Sequence, residues 1–110
     1  MKSPRRAPRS VQRPLYDKDR RELWVGSRLV KRFQQPARLQ HAILCFFQER
    51  HWPARIVDPL PPMLDPEKAK LRLGAVIKRL NRNQKSRLIR FRGDGTGRGI
   101  LWELRRARRK

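Results

Sequence analysis

The stretch Asp65–Gln84 limits the folds open to this chain more than any other, because it reads as one amphipathic helix with its own start signal. Asp65 suits the N-cap, where a carboxylate accepts a backbone N–H that the first turn leaves unpaired. Pro66 suits the first helical position, where its missing N–H costs nothing. Glu67 places negative charge at the positive end of the helix dipole, and the basic residues gather toward the other end. Ala69, Leu73, Val76, Ile77 and Leu80 recur at helical spacing and form an apolar stripe. Across a helix over 66–83, Lys68, Arg72, Lys78, Arg79 and Arg82 fall on the far side. No acidic residue follows Glu67 within it, so no i,i+4 ion pairs relieve the repulsion. One face is made for a core. The other is either a solvated surface or a face for a polyanion, and the absence of compensating acids favours the polyanion.

A chain of 110 residues predicts one domain with a modest core. Lys+Arg number 30 against 9 Asp+Glu, for a formal net charge of +21. Such an excess repels itself in a compact state and attracts polyanions. Nucleic acid is the first partner to consider and an anionic membrane surface the second. Cys45 is the only cysteine, so neither an internal disulfide nor a cysteine-based zinc cluster can form. That fits a reducing compartment, and the expected location is cytoplasmic, with association to a nucleoid included. No apolar run approaches the roughly 20 residues of a membrane span, and the N-terminus lacks the apolar segment of a secretory signal.

Taken in order, residues 1–20 predict a disordered basic arm, since Lys2, Arg5, Arg6, Arg9 and Arg13 alternate with prolines over too little apolar surface. Leu23-Trp24-Val25 and Leu29-Val30 flank Gly26-Ser27, a two-residue hairpin turn. That register sets Trp24 against Leu29, Leu23 against Val30 and Glu22 against Lys31. Pro36 opens a core helix running to about Arg50, with Leu39, Ala42, Ile43, Phe46 and Phe47 as its buried stripe and Leu44 and Cys45 off it. Trp52-Pro53 stops this helix. Arg55-Ile56-Val57 can form a brief edge strand, and Pro59, Pro61 and Pro62 punctuate a connector. A second hairpin follows, with Ile89 and Phe91 alternating with Arg90 and Arg92, then Ile100, Trp102 and Leu104. A loop over Asp94–Gly97 sets Phe91 against Ile100 and Ile89 against Trp102. Residues 105–110 read as a basic tail, leaving 21–104 as the domain.

The glycine run at Gly93–Gly99 lies between two strands, whereas a nucleotide-binding loop needs a strand, then glycines, then a helix. It reads as a flexible hairpin tip with Arg92 and Arg98 in reach of a phosphate backbone. His41 and His51 lack a carboxylate at a recognised spacing, and Cys45 lacks a base; both histidines read as solvent or helix-terminal residues and the thiol as inert. Nothing assembles a nucleophile, a base and an oxyanion donor, so an enzyme is the least favoured class and no cofactor or metal is expected. Trp24 and Trp102 read as core residues rather than base-stacking platforms; Trp52 has no assignment.

The order of hairpin, helix, short strand, basic helix and glycine-tipped hairpin resembles a winged helix-turn-helix. Arg21–Val30 running into Leu39–Phe47 resembles the N-terminal sheet and first helix of response-regulator effector domains. Leu73–Asn81 followed by Leu88–Gly93 resembles their recognition helix and wing. The segments Trp52–Pro61 and Arg90–Gly99 also resemble short, uncharacterised basic bacterial proteins carrying WP-x-RI-x-DPLP and RFRGDGTGRG. The first resemblance implies an α+β, winged-helix-like fold: an N-terminal β-hairpin, a core helix, a basic recognition-type helix and a C-terminal β-hairpin wing. It departs in the connector, where prolines leave room for at most one turn of the family's second helix. It also implies a role for each candidate contact, with Lys68, Arg72, Lys78, Arg79 and Arg82 in a DNA groove and Arg90, Arg92 and Arg98 on the wing. Asn81, at the flank of the apolar stripe, is a candidate structural residue.

The leading expectation is therefore a small DNA-binding protein of the regulator type, with no small-molecule substrate. An RNA- or ribosome-associated basic protein is the alternative, since phosphate attraction is common to both. A winged-helix module docking an acidic protein is the third.

Overall fold

The apolar stripe of the basic helix is buried beneath a hairpin whose register differs from the one expected. The computed structural model describes residues 13–34 and 37–105. In chain order the elements are β1 (Pro14–Asp17), β2 (Glu22–Val25), β3 (Arg28–Arg32), α1 (Arg38–Glu49), β4 (Arg55–Val57), α2 (Pro66–Asn81), β5 (Ile89–Gly93) and β6 (Gly99–Leu104). They make an α+β fold of two helices and two three-stranded antiparallel sheets, ordered β1-β2-β3 and β4-β6-β5. One hydrophobic cluster, from Tyr16 to Ile100, joins both sheets and both helices.

The expected arm over 1–20 is corrected within the described residues, because Pro14–Asp17 is a strand that widens the first hairpin into a sheet. Tyr16 supplies the reason: it is 4% exposed, packs edge-on to Phe33 and His41, and its amide donates to Gln48 Oε1 at 2.8 Å. Pro14 sits at the strand's first residue, where a missing donor is tolerated. Residues 1–12, Pro36 (expected to open the first helix) and residues 106–110 of the expected tail lie outside the described residues.

In the first hairpin Gly26, at φ 60°, leads the turn, and Trp24 faces Leu29 as expected. A bulge then shifts the ladder, so Leu23 faces Lys31 and Glu22 faces Arg32. Expected partners Val30 and Lys31 are thereby displaced by one residue. Glu22 gains the Arg32 guanidinium at 2.7 Å, and Lys31 is released to reach α2. Trp24 lies outside the core cluster, correcting its assignment; it is half-buried beside Glu22, whose Oε1 accepts from Trp24 Nε1 at 3.2 Å.

Helix α1 buries Ile43, Leu44 and Phe47, with Leu39, Ala42, Cys45 and Phe46 partly covered. Leu44 was expected off the stripe. It is buried because α1 is packed by β1 and by α2, so more than one face is covered. The helix ends through His51 and Trp52 at φ 61° and 58°, with Trp52 N–H donating to Phe47 O at 2.8 Å. The left-handed region costs about 1–2 kcal/mol for such residues. Trp52 offsets this by burial: its ring stacks on Phe47 at 4.9 Å, and its Nε1 donates to Gln48 Oε1 at 2.8 Å. The chain then enters β4, which pairs with β6.

Between residues 53 and 65 there is no helix. Leu60 pins the connector to the core at 6% exposure. Asp65 caps α2 as expected, accepting from Glu67 N at 2.9 Å, and Leu73, Val76, Ile77 and Leu80 are buried. The second hairpin pairs Phe91 with Trp102 and Ile89 with Leu104, two residues away from the expected register. An even shift keeps every side chain on its face. The cause is a longer connection: Gly93 pairs with Ile100, so 94–99 rather than 94–97 lie between paired positions, with Asp94 N–H donating to Gly99 O at 3.1 Å.

Candidate nucleic-acid interface

Helix α2 presents its charge from the side opposite its buried stripe. Lys68, Lys78, Arg79 and Arg82 are exposed, and none forms an ion pair among the described residues. Arg72 departs from this group. Its guanidinium donates to Pro61 O, and its Nε is buried without a partner among the described residues. Arg72 thus straps the connector to α2, which sets it apart from the other candidate contacts.

The C-terminal end of α2 is fastened on two sides. Asn81 Nδ2 donates to Phe91 O and Phe91 N–H donates to Asn81 Oδ1, both at 2.8 Å. The side chain acts as a short neighbour to the free edge of β5, so Asn81 is structural. From the other sheet, Lys31 Nζ donates to Arg79 O at 2.5 Å and Arg82 O at 2.9 Å. Both lie at the helix end, where Arg79 O also accepts from Arg82 N–H at 3.2 Å, and a cation suits the negative end of the dipole. Burial, and then the Arg82 charge, push Lys31 down to about 8.

On the hairpin, Arg90 and Arg98 are exposed, while Arg92 pairs with Glu103 at 3.6 Å. The tip is an ordered loop, where a flexible one was expected. Asp94 accepts from Thr96 N–H at 2.9 Å, Thr96 Oγ1 at 2.6 Å and Arg55 Nε at 2.7 Å. These bonds, those from Thr96 ahead of that from Arg55, hold its carboxyl well below the usual carboxylate range. Asp58 N–H donates to Arg98 O at 2.6 Å. A Cβ on Gly97 would stand 2.4 Å from Lys70 Cε, and one on Gly99 would stand 2.1 Å from Asp94 Oδ2. The segments WPARIVDPLP and RFRGDGTGRG therefore dock on one another through Arg55–Asp94 and Asp58–Arg98, and just beyond them Trp102 Nε1 donates to Pro53 O at 2.7 Å.

Two cations absent from the sequence expectation belong to this region. Arg87 and Arg105 line a concavity with Arg82 and Arg90; the bond from Arg105 N–H to Leu88 O at 2.7 Å sets Arg105 there. The correct strand register, which places residue 105 beside 88, was the signal that could have found it.

His41 is neither solvent-facing nor terminal. Its Nδ1 lies 2.8 Å from Tyr16 Oη and its Nε2 3.4 Å from Cys45 Sγ. Burial, then Glu49, push the thiol up, and Tyr16 is pushed up to about 12, by burial first and then by Cys45. A nucleophilic cysteine needs thiolate character, so the trio reads as a satisfied polar contact inside the first sheet and α1. Among the described residues no three His, Cys, Asp or Glu side chains are grouped to hold a metal. None of the helices there is long and apolar enough to cross a membrane. No family model, no curated protein and no solved structure matches the chain.

Proposed function

We propose that this is a small basic DNA-binding protein of winged-helix-like architecture, using the exposed face of α2 together with the β5–β6 hairpin. The observation that carries the reading is the uncompensated run Lys78, Arg79 and Arg82, exposed on a helix whose opposite side is locked into the core. Isolated surface cations gain little from the protein itself, and phosphates supply the counter-charge with release of condensed ions. The element order from α1 through β4 and α2 to the hairpin supports the winged-helix comparison, with β4 joining the hairpin's sheet. The missing second helix is the departure; Arg72 and Leu60 hold a proline connector in its place. Arg98 and Arg90 extend the cationic surface, whereas Arg92 is engaged by Glu103.

Competition between duplex DNA and structured RNA at matched salt tests the class of partner. Preference for the duplex is expected; preference for RNA transfers the same surface to the alternative reading. Replacing Lys78, Arg79 and Arg82 by alanine should weaken binding more than replacing Arg5, Arg6 and Arg9. Each triple removes the same formal charge. Equal losses would leave a nonspecific polycation.

A further inference from the structure

Arg82, Arg87, Arg90 and Arg105 surround a concave pocket of about 430 Å³ where α2, the 82–88 turn and the root of the second hairpin meet. The volume is within the range of small-ligand sites, about 300–1,000 Å³. All four arginines are exposed, and none has a carboxylate in ion-pair range among the described residues. The one acid opposite them in the ladder is Glu103, across from Arg90, and its carboxylate is engaged by Arg92. Four arginines lining one concavity with no carboxylate in ion-pair range among the described residues concentrate positive charge there.

The helix end beside the pocket would ordinarily repel an anion, because its last carbonyls point outward. Here they are answered from within. Lys78 O accepts from Arg82 N–H, Leu80 O from Gln84 Nε2 at 3.1 Å, and Arg79 O and Arg82 O from Lys31. Asn83, at φ 58°, turns the chain so that Arg82 and Arg87 flank the pocket; asparagine is among the few residues that adopt this conformation readily. Lys31, behind this helix end, is lowered first by burial and then by the Arg82 charge.

We infer that this pocket is a phosphate-binding site, built from Arg82, Arg87, Arg90 and Arg105, that takes a phosphate group of a nucleic-acid strand. The planar fork of arginine matches phosphate oxygens with paired hydrogen bonds, which a lysine point charge does not. Arg87 and Arg105 lie outside the groove-facing helix surface, so the site adds an anchoring contact. The identity of the strand rests on the nucleic-acid reading above; the phosphate chemistry does not.

The test is calorimetric titration of the full chain with inorganic pyrophosphate at fixed ionic strength, alongside a short DNA duplex. Wild-type protein should bind pyrophosphate, and pyrophosphate should displace the duplex. Arg87→Gln/Arg105→Gln should lower pyrophosphate affinity by at least about tenfold, the scale of one lost charged hydrogen bond. Lys18→Gln/Arg38→Gln, which removes the same charge elsewhere, should leave it unchanged. No pyrophosphate binding, or equal losses in both variants, overturns the site even if the duplex still binds. Pyrophosphate binding confined to the pocket, with neither DNA nor RNA bound, keeps the phosphate site and removes the nucleic-acid reading.

Discussion

At the tip of the second hairpin Arg55 meets Asp94 at 2.7 Å, and further down its strands Arg92 meets Glu103 at 3.6 Å. At the root of the same hairpin, Arg82, Arg87, Arg90 and Arg105 meet no carboxylate among the described residues. The tip looks like the natural contact element from composition, being rich in glycine and flanked by arginines. Its Asp94, the Thr96 bonds and the close approach of Lys70 instead make it a latch between β4 and the hairpin. The root has no glycine signature, yet four arginines without a carboxylate partner among the described residues gather there. Availability of a cation follows from what surrounds it in space, and a carboxylate several residues away in sequence can remove it.

The largest effect should come from the core that supports both ends. Ile77, 8% exposed, replaced by Asp would bury an unpaired carboxylate at a cost of several kcal/mol. Cooperative unfolding followed by circular dichroism should vanish, and tip and root should be lost together; a folded variant would separate them from the common core. Next comes Asn81→Ala, which strands two backbone groups of Phe91 at a cost of about 1–3 kcal/mol. The unfolding midpoint should fall and the Phe91 amide should exchange faster, while Thr96 stays protected.

Asp94→Ala should act at the tip alone, lowering the midpoint less than Asn81→Ala and mobilising 94–98 on the nanosecond scale in NMR relaxation. Because the Asp94 pKa is depressed in the folded state, its contribution is complete above the ordinary value of 3.8 and is lost as pH falls below it. Removal of Asp94 should therefore flatten the acid limb of the stability profile.

The smallest effect is alkaline and belongs to the root. Lys31 is lowered from 10.5 to about 8, so between these values the unfolded chain retains a proton that the folded chain has released. Raising pH through that window stabilises the native state. Stability of the wild type relative to Lys31→Met should rise across it, and a constant difference would mean that Lys31 is not depressed.

What was legible in the sequence was local. The Asp65 cap, Pro66 and the stripe through Leu80 set α2, because capping and helical spacing act within a turn or two. Alternation in Ile89–Arg92 set which side chains face inward, and an even register shift left that intact. The exposure of Lys78, Arg79 and Arg82 followed from the same spacing. Contacts between distant segments were not legible. Strand β1 depends on Tyr16 meeting His41 and Gln48, across 25 and 32 residues. Arg72 is tied to a carbonyl of the proline connector. Arg87 and Arg105 become neighbours of Arg82 only once the ladder is known. The bulge in the first hairpin is settled by the Glu22–Arg32 pair and by Lys31 reaching α2.

The central claim, that phosphate contact is made by the arginines left without a carboxylate at the root and withheld by the ion-paired Arg55 and Arg92 nearer the tip, is tested most directly by the salt dependence of duplex affinity. Three proteins should be compared on one DNA: wild type, Arg87→Gln/Arg105→Gln and Arg55→Gln/Arg92→Gln. Each phosphate contact contributes about one unit to the slope of log affinity against log salt. The root variant should flatten that slope by about two units, and the tip variant should leave it close to wild type. Equal flattening in both, or a larger change at the tip, would contradict the account.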